Sequence, residues 1–170
     1  MRKSIFLLMK KITVLFLIYF VLGCNFESPK EFSNEALVQD FKTIYGESIQ
    51  LKEILTKHKG EKILLNIWAS WCKDCLVAIP KMKKLQEEYP NITYVFISTD
   101  KSELRWRKAL KKFQIKGNHY FLENEMDNDF GDFLNSNWIP RYLVINENGF
   151  VDLFKAKQIT DSRIVTALKK

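Results

Sequence analysis

An apolar run that breaks at Ala69-Ser70 and leads straight into Trp71-Cys72-Lys73-Asp74-Cys75 constrains this chain more than any other segment. Ile63 to Ser70 reads as a buried strand. From Lys73 onward the period changes. Leu76, Ile79, Met82 and Leu85 fall on one helical stripe, with Lys81, Lys83, Lys84, Glu87 and Glu88 at polar positions. Cys72 therefore sits near a helix start, where unpaired backbone N–H groups and the helix dipole favour negative charge. That location lowers a thiol pKa and keeps a useful thiolate fraction near neutral pH, so the two thiols are placed for redox chemistry.

The segments around this unit alternate in type. A short strand is expected at Ile49–Leu51 and a short helix at Lys52–His58, ending near Gly60. After the strand at 62–68 and the helix at 73–88, Tyr89-Pro90-Asn91 ends the helix, and Ile92 to Ser98 is a second strong strand. Ser102–Phe113 is the next helix, capped by Ser102. Tyr120–Leu122 reads as a minor strand and Met126–Leu134 as a further helix, with Asp127 and Asp129 in a solvated lead-in. Arg141–Ile145 and Phe150–Phe154 flank Asn146-Glu147-Asn148-Gly149, a hairpin with an Asn-Gly turn signal. An amphipathic helix from Thr160 to Lys169, capped near Thr160 or Asp161, closes the chain. A parallel βαβ unit followed by a hairpin predicts an α/β domain: a mixed sheet of four to five strands with helices on both faces.

The first residues read as a targeting signal. Arg2, Lys3, Lys10 and Lys11 precede the apolar run Ile12–Leu22, which is shorter than the roughly 20 residues a membrane span needs and suits a secretory signal. The run ends in Val21-Leu22-Gly23-Cys24, which resembles the lipobox of bacterial lipoproteins. That resemblance implies a signal peptide over 1–23, lipid on Cys24, a tether over 24–45 and one folded domain over 46–170. It also accounts for the odd cysteine, because of the 3 cysteines only Cys72 and Cys75 then remain free to pair. Export would place that pair in an oxidising compartment of the cell envelope, where a disulfide persists.

Charge excludes some functions. Of 27 basic side chains four lie in residues 1–23, so the remainder carries 23 against 20 acidic groups, a net +3. That is too little to argue for nucleic acid binding. The dense basic patch of Arg105, Arg107, Lys108, Lys111 and Lys112 reads as a solvated helix face. A structural zinc needs four ligands, and His58 and His119 lie far from the one CxxC, so neither metal nor another cofactor is expected. An inert staple is a poor explanation too, since closing so short a loop removes little chain entropy. Trp68 and Trp138 read as core or groove-wall side chains.

The stretch Asn66 to Cys75, with Pro80 five residues later, Ile139-Pro140 before the hairpin and Ser98-Thr99-Asp100 ending the second strand, resembles the TlpA/ResA type of thioredoxin-like protein. The resemblance covers about residues 46–170 and implies a thiol–disulfide oxidoreductase fold with Cys72 attacking and Cys75 resolving. It implies a cis peptide at Pro140 opposite the pair, a partner-binding edge at Ile139-Pro140, and active-site support from Trp71, Lys73 and Asp74. Partners are expected to be exported cysteine-containing proteins, with a membrane thiol reductant upstream. The competing reading is a non-catalytic lipoprotein that holds a partner in the Pro140 groove.

Several differences, from thioredoxin itself or from this branch, bear on the chemistry. Lys73-Asp74 stands between the cysteines in place of the Gly-Pro of thioredoxin, with Lys73 favouring a thiolate and Asp74 opposing it. Asn66 replaces the buried acid of thioredoxin, although Asn is usual in this branch. Ala78 stands where many members of this branch have a glutamate. No histidine lies inside the CxxC, which tilts the expectation toward reduction of partners rather than oxidation.

Overall fold

The structure, a computed structural model, describes residues 28–135 and 138–170. The expected signal peptide and Cys24 lie outside these. In chain order the elements are α1 (Asn34–Leu37), β1 (Asp40–Thr43), β2 (Ser48–Gln50), α2 (Leu51–Lys57), β3 (Ile63–Trp68), α3 (Lys73–Glu88) and β4 (Thr93–Ser98). They continue with α4 (Glu103–Phe113), β5 (Asn118–Phe121), α5 (Asp129–Leu134), β6 (Arg141–Ile145), β7 (Val151–Ala156) and α6 (Ser162–Leu168). No helix among the described residues is long and apolar enough to cross a membrane.

The strands form one mixed sheet in the order β2-β1-β5-β4-β3-β6-β7. β3, β4 and β5 run parallel to their neighbours in that group, and every other pairing is antiparallel. β3 lies between β4 and β6, with Ile63–Trp68 paired to Thr93–Ser98 on one side and Ile63–Ile67 paired to Ile145–Arg141 on the other. All six of its residues are buried. Successive side chains point to opposite faces, so a strand buried throughout requires cover on both. Leu64 and Trp68 join a core with α3, α4 and α6, whereas Ile63, Leu65 and Ile67 join one with α1, α2 and α5. The α/β class and two-sided helix cover are as the sequence predicted.

The sheet has seven strands rather than four to five. Beyond β5 the sheet is extended by β1, which the sequence did not announce, and by β2, the short strand expected near Ile49–Leu51; both are short and carry few apolar residues. β1 buries only Phe41, and β2 buries no residue fully. The sequence over 34–42 reads as an irregular lead-in or a short helix; a helix forms there, but α1 stops at Leu37 and Asp40–Thr43 turns into β1. That strand exists because β5 offers it an edge, pairing Lys42 with Phe121 and Thr43 with Tyr120. The folded unit also starts before residue 46. Phe32, Ala36 and Phe41 are buried in the core, and Val151 N–H donates to Lys30 O at 2.7 Å. The C-terminal part of the expected tether is therefore part of the domain.

Near the site the agreement is closer. α3 has the expected bounds, and α4 is capped by Ser102, whose hydroxyl accepts from Arg105 N–H. At the hairpin, Gly149 has φ +90, a conformation glycine adopts without Cβ strain, and its N–H donates to Asn146 O at 2.9 Å. α6 is capped by Asp161.

Candidate active site around Cys72 and Cys75

The loop between β3 and α3 is held from the end of β4. Thr99 N–H donates to Trp68 O at 2.9 Å, continuing the β3–β4 pairing by one residue. Asp100, 1% exposed, then accepts from Ser70 N–H at 3.1 Å and from the Ser70 hydroxyl at 2.6 Å. The Ser98 hydroxyl also donates to it at 2.8 Å. A buried carboxylate is costly unless donors surround it, and here they come from both sides of the loop. Asp100 therefore fixes Ser70, two residues before Cys72. Sequence reasoning assigned Asp100 no role, although an acid two residues after a strand buried almost throughout is a signal that donors must await it.

Cys72 is the N-cap of α3, with extended backbone, and its Sγ accepts from Cys75 N–H at 3.2 Å. Cys72 and Cys75 form a disulfide with Cα atoms 5.2 Å apart. Both are buried, at 7% and 5% exposure. The Cys72 Sγ lies 3.7 Å from the carbonyl oxygen of Ile139, and the Ile139-Pro140 peptide is cis. The fold thus brings together residues 67 positions apart, as the resemblance implied. Trp71 stands half exposed beside the pair, and Lys73 and Asp74 are exposed on the first turn of α3.

Two openings flank the disulfide. A groove of about 550 Å³ runs from Asp74, Val77, Ala78 and Lys81 on α3, past Trp138 and Pro140, to Lys157–Thr160 between β7 and α6. Val77 and Trp138 leave large apolar surfaces exposed along it. Behind Cys75 is a cavity of about 10 Å³, lined by Asn66, Trp68, Ala78, Met82, Phe96 and Tyr142, among others. Asn66 Oδ1 and Trp68 Nε1 are buried there without a hydrogen-bond partner. Burial pushes the Tyr142 hydroxyl far above its ordinary value, so this wall holds no group that ionises near neutral pH. Ala78 lines both openings.

Trp68 is core and Trp138 is groove wall. His58 bonds Glu61, and His119 stacks on Phe96 with its Nε2 2.8 Å from Ile115 O, both away from the disulfide. Among the described residues no group of three or more His, Cys, Asp or Glu is arranged to hold a metal. In the basic patch Arg105, Lys108, Lys111 and Lys112 are exposed, and Arg107 bonds Glu103 and Ile44 O.

The fold and this pair define a class. A family model described as thioredoxin-like matches residues 60–151, and the chain belongs to that family. Thioredoxin-like protein YneN of Bacillus subtilis is 43% identical over 78 residues, 44% of this chain and 44% of that one. Thiol-disulfide oxidoreductase ResA of Bacillus cereus is 29% identical over 73 residues, 42% of this chain and 40% of its own length. The chain thus spans less than half the length of these curated relatives. Among solved structures, a candidate thiol-disulfide oxidoreductase from Bacteroides vulgatus superposes with TM-score 0.65 at 27% identity, covering 81% of this chain and 88% of that one.

Proposed function

We propose that this protein is a membrane-tethered thiol–disulfide oxidoreductase whose Cys72–Cys75 pair exchanges with cysteines of exported proteins. The observation that carries this is the position of Cys72: N-cap of α3, disulfide-bonded to Cys75, and 3.7 Å from the Ile139 carbonyl before Pro140. In the reduced protein the Cys72 thiolate is favoured by the N–H groups of the first turn. It attacks a partner disulfide, one partner sulfur leaves as thiolate and takes a proton, and a Cys72–partner disulfide forms. Cys75 loses its proton and attacks Cys72 Sγ. The second partner sulfur then leaves and is protonated, and the Cys72–Cys75 disulfide returns. Two electrons and two protons pass to the partner, and a membrane thiol reductant must restore the pair.

Reduction is the favoured direction, since no histidine sits between the cysteines to raise the potential. Trp71 supplies apolar contact to the partner, and Ile139-Pro140 offers it a backbone edge. The tether is lipid on Cys24, supported by Val21-Leu22-Gly23-Cys24, which anchors the domain in the cell envelope facing away from the cytoplasm. The pair itself is the redox group, with no added cofactor.

The test is insulin reduction by the domain beside its Cys72→Ser variant. Activity in the wild type alone is expected, and equal rates would leave the protein as a partner-binding module. The potential of the pair decides direction: near about −270 mV it reduces, near about −120 mV it oxidises. For the anchor, Cys24→Ala is expected to move the protein from detergent phase to aqueous phase.

A further inference from the structure

The groove beside the disulfide is unevenly charged. Its one acid, Asp74, lies at the disulfide end. Farther along stand Lys81 on α3, Lys157 on the opposite bank, and Arg141 at the start of β6. Among the described residues none of these three cations has a carboxylate within ion-pair distance. The Arg141 guanidinium donates to its neighbour's carbonyl, Pro140 O, at 2.9 Å. A shallower recess of about 290 Å³ shares Lys157, Gln158 and Thr160 with the groove and adds Lys155. Its own acid, Asp161, is occupied by Arg163 at 2.6 Å. Burial lowers the pKa of both Arg141 and Lys155, and the Arg141 charge lowers that of Lys155 further. Cations that repel one another along an open groove gain when an anion settles among them.

We propose that this groove selects cysteine-bearing partner segments that carry an acidic residue about three positions from the reacting cysteine. The spacing follows from geometry. Asp74 to Lys81 is seven residues of α3, about 10 Å at roughly 1.5 Å per residue. An extended peptide covers that span in about three residues at roughly 3.3 Å each. A partner cysteine at the disulfide then places its third neighbour between Lys81 and Lys157. Val77 and Trp138 give the intervening residues an apolar wall, so apolar or aromatic side chains suit those positions. Asp74 disfavours an acid immediately beside the cysteine, so this is a positional preference rather than a general affinity for anions.

This inference rests on the proposed exchange activity, and its test separates the two. The substrates are short peptide disulfides with Glu, Gln or Lys three residues from the cysteine, on either side of it, and hydroxyethyl disulfide as a neutral reference. On at least one side, the Glu peptide is expected to react about 3- to 10-fold faster than Gln, with Lys slowest, and the spread should collapse at about 0.5 M salt. Lys81→Glu and Lys157→Glu, both at exposed positions, are expected to narrow the order singly and invert it together. Equal rates for the three peptides on both sides overturn the groove inference and leave exchange standing. So does turnover of hydroxyethyl disulfide without turnover of any peptide. Failure on every disulfide overturns both.

Discussion

Cys72 and Cys75 share one disulfide, yet the fold surrounds their sulfurs differently. Cys72 caps a helix, meets the Ile139 carbonyl, and has Trp71 and the Asp100-anchored loop beside it. Cys75 is buried one turn later against a small cavity whose wall offers Asn66 and Trp68 as polar groups and no near-neutral acid or base. The difference separates roles. A thiol at the N-terminus among unpaired N–H groups is stabilised as thiolate, whereas one buried against a wall that carries no charge keeps its proton longer. Under the proposed exchange, the first sulfur is the one that attacks and the second the one that resolves.

Replacing each sulfur in turn tests that division most severely. Cys72→Ser should abolish exchange, by at least about 10³-fold, because the nucleophile is gone. Cys75→Ser should still react once and then accumulate a mixed disulfide with the partner. Trapping through Cys75 instead, or faster alkylation of Cys75 than of Cys72 at mildly acidic pH, would reverse the roles.

Asp100→Asn weakens the support on the Cys72 side. It leaves donors at Ser70 and Ser98 facing a neutral amide, and thermal or denaturant unfolding should show a loss of about 2 kcal/mol. Exchange should slow as Ser70 loosens. An unchanged melting curve would mean that the loop is held by Thr99 and Trp68 alone.

Ala78→Glu sharpens the contrast from the Cys75 side by adding a titratable group where the cavity and groove meet. Decay of the mixed disulfide should gain a pH-dependent limb between about pH 4 and 7 that the wild type lacks. Identical profiles would show that the new side chain turns to solvent.

The smallest effect concerns His119, which stacks on Phe96, a wall of the Cys75 cavity. Burial lowers its pKa from 6.5. The folded state therefore binds fewer protons than the unfolded one below about pH 6.5, and stability falls as pH drops through that window toward the folded pKa. His119→Phe keeps an aromatic ring for the stack and should flatten this part of the stability–pH curve. An unaltered slope would place the proton uptake elsewhere.

Much of this architecture was legible because it is local. The run Ile63–Trp68, the change of period at Lys73 and the Asn-Gly turn each carry their signal within a few residues, and β3, α3 and the hairpin turn appear where expected. β1 was not legible. Asp40–Thr43 has one buried residue and no alternation strong enough to oppose a helix, so its state depends on the edge that β5 provides. Asp100 was visible as a residue but not as a support, because the loop it holds, through Ser70, lies 30 positions earlier.

The sequence by itself determined the redox pair, its place at a helix start and the two-sided α/β packing, since periodicity and helix termini are properties of contiguous residues. Only the tertiary structure decided what each sulfur faces. The parallel β3–β4 and antiparallel β3–β6 pairings carry Asp100 and Ile139 to the same, C-terminal end of β3, and the β7–α6 turn sets Lys157 across from Lys81. Contacts between segments that distant follow from strand order, and no window of residues contains strand order.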